Sequence, residues 1–192
     1  VMLRENGDIY SEVTGPESDV SRRSYDTIDP CGRILYIVDA SEAPAGNPRA
    51  WPVVGNFPTG KFEASSIGKC GDALKVVNIS NNVKTTIDIS LPDQDSTAEI
   101  WKVTVENMAD KPRQLKVVPY LEWVLNGGIH DRFHTQYARL YPEMEYAAGV
   151  NAILSWQKAT RSMGILASEI PTEGFTASRV DFIGRAGSIW NP

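Results

Sequence analysis

Both histidines of the chain fall in one short segment, H-D-R-F-H, as His130 and His134. Spaced four apart, they share a face if the segment is helical, which would make half of a zinc site. The hydrolytic zinc motif places a glutamate directly after its first histidine. Here Asp131 and Arg132 follow instead, and the arginine sets a competing cation beside any metal. Zinc takes three or four protein ligands, and the chain has only these two histidines. The pattern therefore favours Asp131 and Arg132 in structural ion pairs and the histidines bonded to loop carbonyls. No metal is expected at this segment.

Other chemistry is thinly represented. There is no G-x-S-x-G, and neither Cys31 nor Cys70 lies near a histidine, so a nucleophile–base pair has no local signature. Among the carboxylates, Glu122 is set apart by its apolar neighbours Leu121 and Trp123. Its plainer reading is an outward position on a half-buried strand. Its chemical reading is a base paired with His130 or His134, as a mutarotase-type epimerase requires. Asn126-Gly127-Gly128 reads as a turn, since it lacks the spacing of a phosphate loop. Of the five tryptophans, Trp101 and Trp156 are expected in the core. Trp51, in a proline-rich stretch, is the exposed candidate for stacking on a sugar ring.

These residues must be carried by strands. "LKVVNIS" (Leu74–Ser80) ends at Asn81-Asn82, and "VKTTIDISL" alternates Val83, Thr85, Ile87, Ile89 and Leu91 with polar residues. The pattern predicts a hairpin with a half-buried second strand. "GRILYIVD", "KFEASSI", "IWKVTVEN", "QLKVVPYLEWVL", "AAGVNAILSWQK", "SMGILASE" and "GFTASRVDFIG" read as further strands, and Pro119 places its strand at an edge or a bulge. Strands about ten residues apart with turn signals between them predict an all-β antiparallel sandwich. Helix is confined to a short piece or loop around "HDRFHTQYARLYPE". Residues 1–28 read as a polar arm with one strand, "DIYSEV", and residues 29–192 as the sandwich domain. Residues 40–60 read as a long surface loop.

With 192 residues, a net charge of -5 and 22% charged residues, the composition is that of a soluble globular protein with no basic face for nucleic acid. No apolar run approaches the ~18 residues of a membrane span, and the start shows no signal-peptide core. The two cysteines read as free thiols in a reducing, cytoplasmic setting.

The block "AEIWKVTVENMADKPRQLKVVPYLEWVL" resembles the N-terminal β-sandwich of glycoside hydrolase family 94, the inverting glycoside phosphorylases. In that family a strand ending in asparagine is followed by a D-x-P-R turn and a strand ending near Y-x-E-W. "HDRFHTQYARLY", "RVDFIGRAGSIWNP" and "IDPCGRILYIVD" are similar to further segments, so the resemblance covers most of Asp29–Pro192. It implies a large galactose mutarotase-like supersandwich, shorter than the family's own and hence a fragment of a longer multidomain protein. It also implies an accessory, non-catalytic role in phosphorolysis of β-linked glucose oligosaccharides. Phosphate and glucan would meet at an (α/α)6 barrel outside this sequence, and a homodimer would be the assembly. The family's catalytic aspartate lies in that barrel, so no catalytic residue carries over. Trp51, Glu122, Trp123, Asp131, Arg132 and His134 are the candidate substrate-facing or inter-domain residues. A free-standing carbohydrate-binding module and a mutarotase-like epimerase are the alternatives.

Overall fold

The computed structural model describes residues 1–3, 9–13, 18–23, 32–41, 49–55, 64–185, 187–190 and 192. Its strands are, in chain order, β1 (Met2–Leu3), β2 (Ile9–Tyr10), β3 (Glu12–Val13), β4 (Ser18–Ser21), β5 (Arg33–Asp39), β6 (Arg49–Val54), β7 (Ala64–Cys70) and β8 (Ala73–Ser80). They continue as β9 (Val83–Ser90), β10 (Ile100–Asn107), β11 (Leu115–Leu121), β12 (Trp123–Asn126), β13 (Pro142–Ala147), β14 (Ala152–Gln157) and β15 (Ser162–Ala167). Three short helices are α1 (Gly128–Phe133), α2 (Thr135–Ala138) and α3 (Arg179–Ile183). Among the described residues no helix is long and apolar enough to cross a membrane. The chain forms two compact units, Val1–Ile9 with Arg33–Tyr120 and Tyr10–Gly32 with Leu121–Pro192.

The first unit holds a four-stranded sheet, β10-β9-β8-β7, and a three-stranded sheet, β11-β5-β6. The expected hairpin is β8–β9. Asn81 and Asn82 both take positive φ, 55° and 56°, which is the turn that matches strand twist across a two-residue loop. Along β9, Val83, Thr85, Ile87 and Ile89 are buried and their neighbours half-buried, as period two dictates. This face meets Leu35, Ile37, Trp51, Val53 and Val54 from the facing sheet to form the core. Pro119 lies in β11 and Pro52 in β6, the two edges of their sheet, which is where strands tolerate proline. Two side-chain clusters fasten the unit. Glu99 accepts from Arg33 Nη1 at 2.7 Å and from Trp101 Nε1 at 3.1 Å. Arg113 donates to Asp39 and to the Asn81 carbonyl, and its guanidinium lies 5.9 Å from the Trp51 ring centroid.

The second unit holds the sheets β12-β4-β3 and β13-β14-β15. Trp123, Val124 and Leu125 of β12 are buried against β13–β15. The fit is tight at Gly164 on β15, where a Cβ would lie 2.3 Å from the Trp123 ring. A register shift in β12 puts Leu125 at φ 52°, a left-handed conformation that leucine rarely adopts.

Three sequence expectations change here. Residues 179–183, read as part of a strand, form α3, because Ser178 caps its first turn and Gly184 ends it. Residues 49–54, read as part of a surface loop, form β6, because Trp51, Val53 and Val54 have a facing sheet to bury against. The first 28 residues hold β1–β4, where the pattern had suggested one strand. Those strands are only two to four residues long, too short for periodicity to register. Cys31 lies outside the described residues, and Cys70 is an exposed free thiol.

Candidate functional site

Glu122 breaks the stretch that reads as one strand. Its N–H donates to the Gly32 carbonyl at 2.7 Å and its carbonyl accepts from the Arg22 N–H at 3.0 Å, so β11 ends and β12 begins on either side of it. Only glycine fits at position 32, since a Cβ would lie 2.6 Å from Arg22 Cβ and 2.7 Å from the Arg22 carbonyl oxygen. This close approach aims the Arg22 side chain into the second unit's polar centre.

Arg22 meets both acids there. Its Nε and Nη2 donate to Asp131 Oδ2 and Oδ1 at 3.1 and 2.8 Å, a two-pronged pair. Its Nη1 donates to Glu122 Oε2 at 2.6 Å. Arg139 donates to the same oxygen through Nε and Nη2, each at 3.3 Å, and Arg179 Nε donates to Glu122 Oε1 at 3.1 Å. The side chains of Arg22 and Asp131 are 3% and 1% exposed. Charges buried this deeply persist only when paired and hydrogen-bonded, which this geometry provides.

Each member comes from a different place in the chain. Arg22 follows β4, Asp131 sits on α1, Arg139 follows α2 and Arg179 opens α3. The Thr135 hydroxyl donates to the Asp131 carbonyl at 2.6 Å, tying α2 to α1. At α3, Ser178 caps the helix by accepting from the Asp181 N–H, and Gly184 closes it at φ 75°. The cluster thus joins three helical segments to two strand ends. A catalytic base needs a lone pair directed at its substrate. Both oxygens of Glu122 already accept from guanidinium groups, so the arrangement is that of a fastening hub.

The histidines stand apart from this chemistry. His130 and His134 are exposed, with ring centroids 5.6 Å apart and tilted by 51°. The segment is two short helices meeting at His134, whose N–H donates to the His130 carbonyl at 3.0 Å. Among the described residues no three His, Cys, Asp or Glu side chains are grouped to hold a metal. Arg132 is also exposed. Ile129, Phe133, Tyr137 and Leu140 recur along the same segment and are between 65% and 77% exposed. Of the tryptophans, Trp123 is buried under β15, while Trp156 is half-buried on the open face of its sheet. Trp51, read from sequence as the exposed candidate, is 8% exposed and packs in the first unit's core.

The motif residues of "AEIWKVTVENMADKPRQLKVVPYLEW" therefore share a physical role. Glu99, Trp101, Arg113, Glu122 and Trp123 pin or pack the fold, and Asn107 holds its turn by donating to the Lys111 carbonyl at 2.8 Å. A family model described as "Glycosyl hydrolase 94, supersandwich domain" matches residues 1–192. The chain belongs to this family. The resemblance carried by that block is upheld over residues 1–192, and the strands are antiparallel as the all-β class requires. No curated protein matches the chain. What sequence reasoning missed in the domain is Arg22, Arg139 and Arg179. Their only local signal is a basic residue beside a strand or helix end, which is common on any surface.

Proposed function

We propose that this chain is a non-catalytic accessory domain of an inverting glycoside phosphorylase acting on β-linked glucose oligosaccharides. The observation that carries the reading, beside family membership, is the exposed apolar series Ile129, Phe133, Tyr137 and Leu140 along α1, α2 and the residues just after α2. Large apolar side chains left exposed along one short segment are what an interaction site offers. The occupant that fits is the helical catalytic domain of the same enzyme, with Arg132 and His134 in the polar rim. The clamped state of Glu122 supports a structural role in place of an epimerase base.

In the reaction, a phosphate oxygen attacks the anomeric carbon of the terminal glucose. The glycosidic carbon–oxygen bond breaks, an acid on the catalytic domain protonates the leaving oxygen, and configuration inverts. Glucan and phosphate are partners of that domain, and the step needs neither metal nor organic cofactor. A cytoplasmic location and a homodimeric enzyme go with this reading. The test is to incubate the purified chain with cellotetraose and phosphate and follow release of glucose 1-phosphate. No turnover is expected, and turnover on the order of 1 per second, typical of an enzyme, would overturn the non-catalytic assignment.

A further inference from the structure

The sheet β13-β14-β15 has one face buried and one open. Ser155, Gln157 and Gly164 point into the unit and are buried. The register puts Glu143, Trp156 and Met163 on one rung of the opposite face, and Glu145 and Ile165 on the next but one. Met163 and Ile165 are more than half exposed and both glutamates are exposed, while Trp156 is half-buried. The indole is held in place, because its Nε1 donates to Glu143 Oε2 at 3.1 Å. Lys158 Nζ sits 2.5 Å from the other oxygen of Glu143. The Lys158 hydrogen bond lowers the Glu143 pKa, and the Trp156 N–H adds to it against partial desolvation, so the carboxylate stays ionised at neutral pH.

We propose that this face is a binding platform for a hexopyranose ring of an oligosaccharide, with Trp156 as the stacking surface and Glu143, Glu145 and Lys158 as the hydrogen-bonding rim. A pyranose presents a face of C–H groups that suits a fixed aromatic ring, ringed by hydroxyls that need acceptors and donors. The platform sets the ring and an acceptor on one rung, with Lys158 just past the end of β14. A protein partner fits less well, because interface centres are depleted in Glu and Lys, and here they flank the tryptophan directly. The choice of β-linked glucose probes rests on the phosphorylase reading; the platform rests on the sheet face alone.

The experiment is calorimetric titration of the full chain with cellotetraose, laminaritetraose, a sophorose-linked tetrasaccharide and maltotetraose, in parallel with sedimentation. Binding is expected to weaken about tenfold or more in Trp156→Ala, and about threefold in Glu143→Gln, which keeps the shape and loses the charge. Circular dichroism checks the fold, and if Trp156→Ala is unfolded, Glu143→Gln decides. Binding of maltotetraose alone, lost in Trp156→Ala, upholds the platform and removes support from the β-glucan reading. No binding at the highest soluble concentration, or binding that neither variant alters, overturns the platform. Concentration-dependent self-association abolished by Trp156→Ala also overturns it and assigns the face to a second copy.

Discussion

At the scale of single residues, the chain spends its charged groups on holding segments together. Arg22 is the clearest case, since it neutralises Asp131 at a site closed to water. Arg22→Met should destabilise the second unit by about 3–5 kcal/mol, because the Asp131 carboxylate is left buried and unpaired. Urea denaturation followed by Trp fluorescence measures this, and a change within experimental error would remove Arg22 from the hub. Asp39 in the first unit gives a pH signature. Burial opposes its charge, but the Ser41 N–H, the Arg113 guanidinium and the Ser41 hydroxyl outweigh it and hold the pKa below its ordinary value of 3.8. A depressed carboxylate adds stability above its unfolded value and loses it as pH falls through the folded one. Urea midpoints of the wild type should therefore drop more steeply than those of Asp39→Asn as pH falls below the ordinary value of 3.8. Parallel profiles would contradict the assignment.

At the scale of elements, two surfaces of the second unit make opposite demands. Where β15 crosses Trp123 there is no spare room, so Gly164→Ala should cost about 1–3 kcal/mol through overpacking. Trp123→Phe should recover part of that loss, which separates a steric clash from a backbone effect. On α1–α2 the outward residues are free of such limits. Phe133→Glu with Leu140→Glu should leave the thermal midpoint of the isolated chain nearly unchanged, within about 0.5 kcal/mol. In the parent phosphorylase proposed above, the same pair should loosen the helical domain and lower phosphorolysis. Limited proteolysis and turnover together test this, and full activity with an intact protease pattern would move the docking surface elsewhere.

At the scale of the whole molecule, each unit packs its own strands and fastens itself with its own ion pairs. Trp51, Asp39 and Arg113 lie in the first unit; Arg22, Glu122 and Asp131 lie in the second. A domain built this way is a scaffold with surfaces to offer. The accessory role proposed above would draw on two of these surfaces, the apolar helical edge and the face that carries Trp156. The two surfaces can be tested apart, since Phe133 and Leu140 should govern docking while Trp156 should govern sugar binding.

Much of the architecture was legible before any coordinates. The hairpin β8–β9 was readable because period two and an Asn-Asn turn are properties of neighbouring residues. The family block was readable because its pins and turn, from Glu99 to Trp123, lie within one continuous stretch. The placement of Trp51 was misread because a proline-rich stretch resembles a loop until a second sheet is there to bury it. The role of Glu122 was out of reach for a related reason: its partner Arg22 is 100 residues away, and Asp131 is 109 residues from the same arginine. Sequence alone determined the β8–β9 hairpin, the fold class and the family, since these depend on local alternation and contiguous motifs. Only the tertiary structure decided which charges are buried together and which aromatic faces stay open, because burial is set by what the rest of the chain brings alongside.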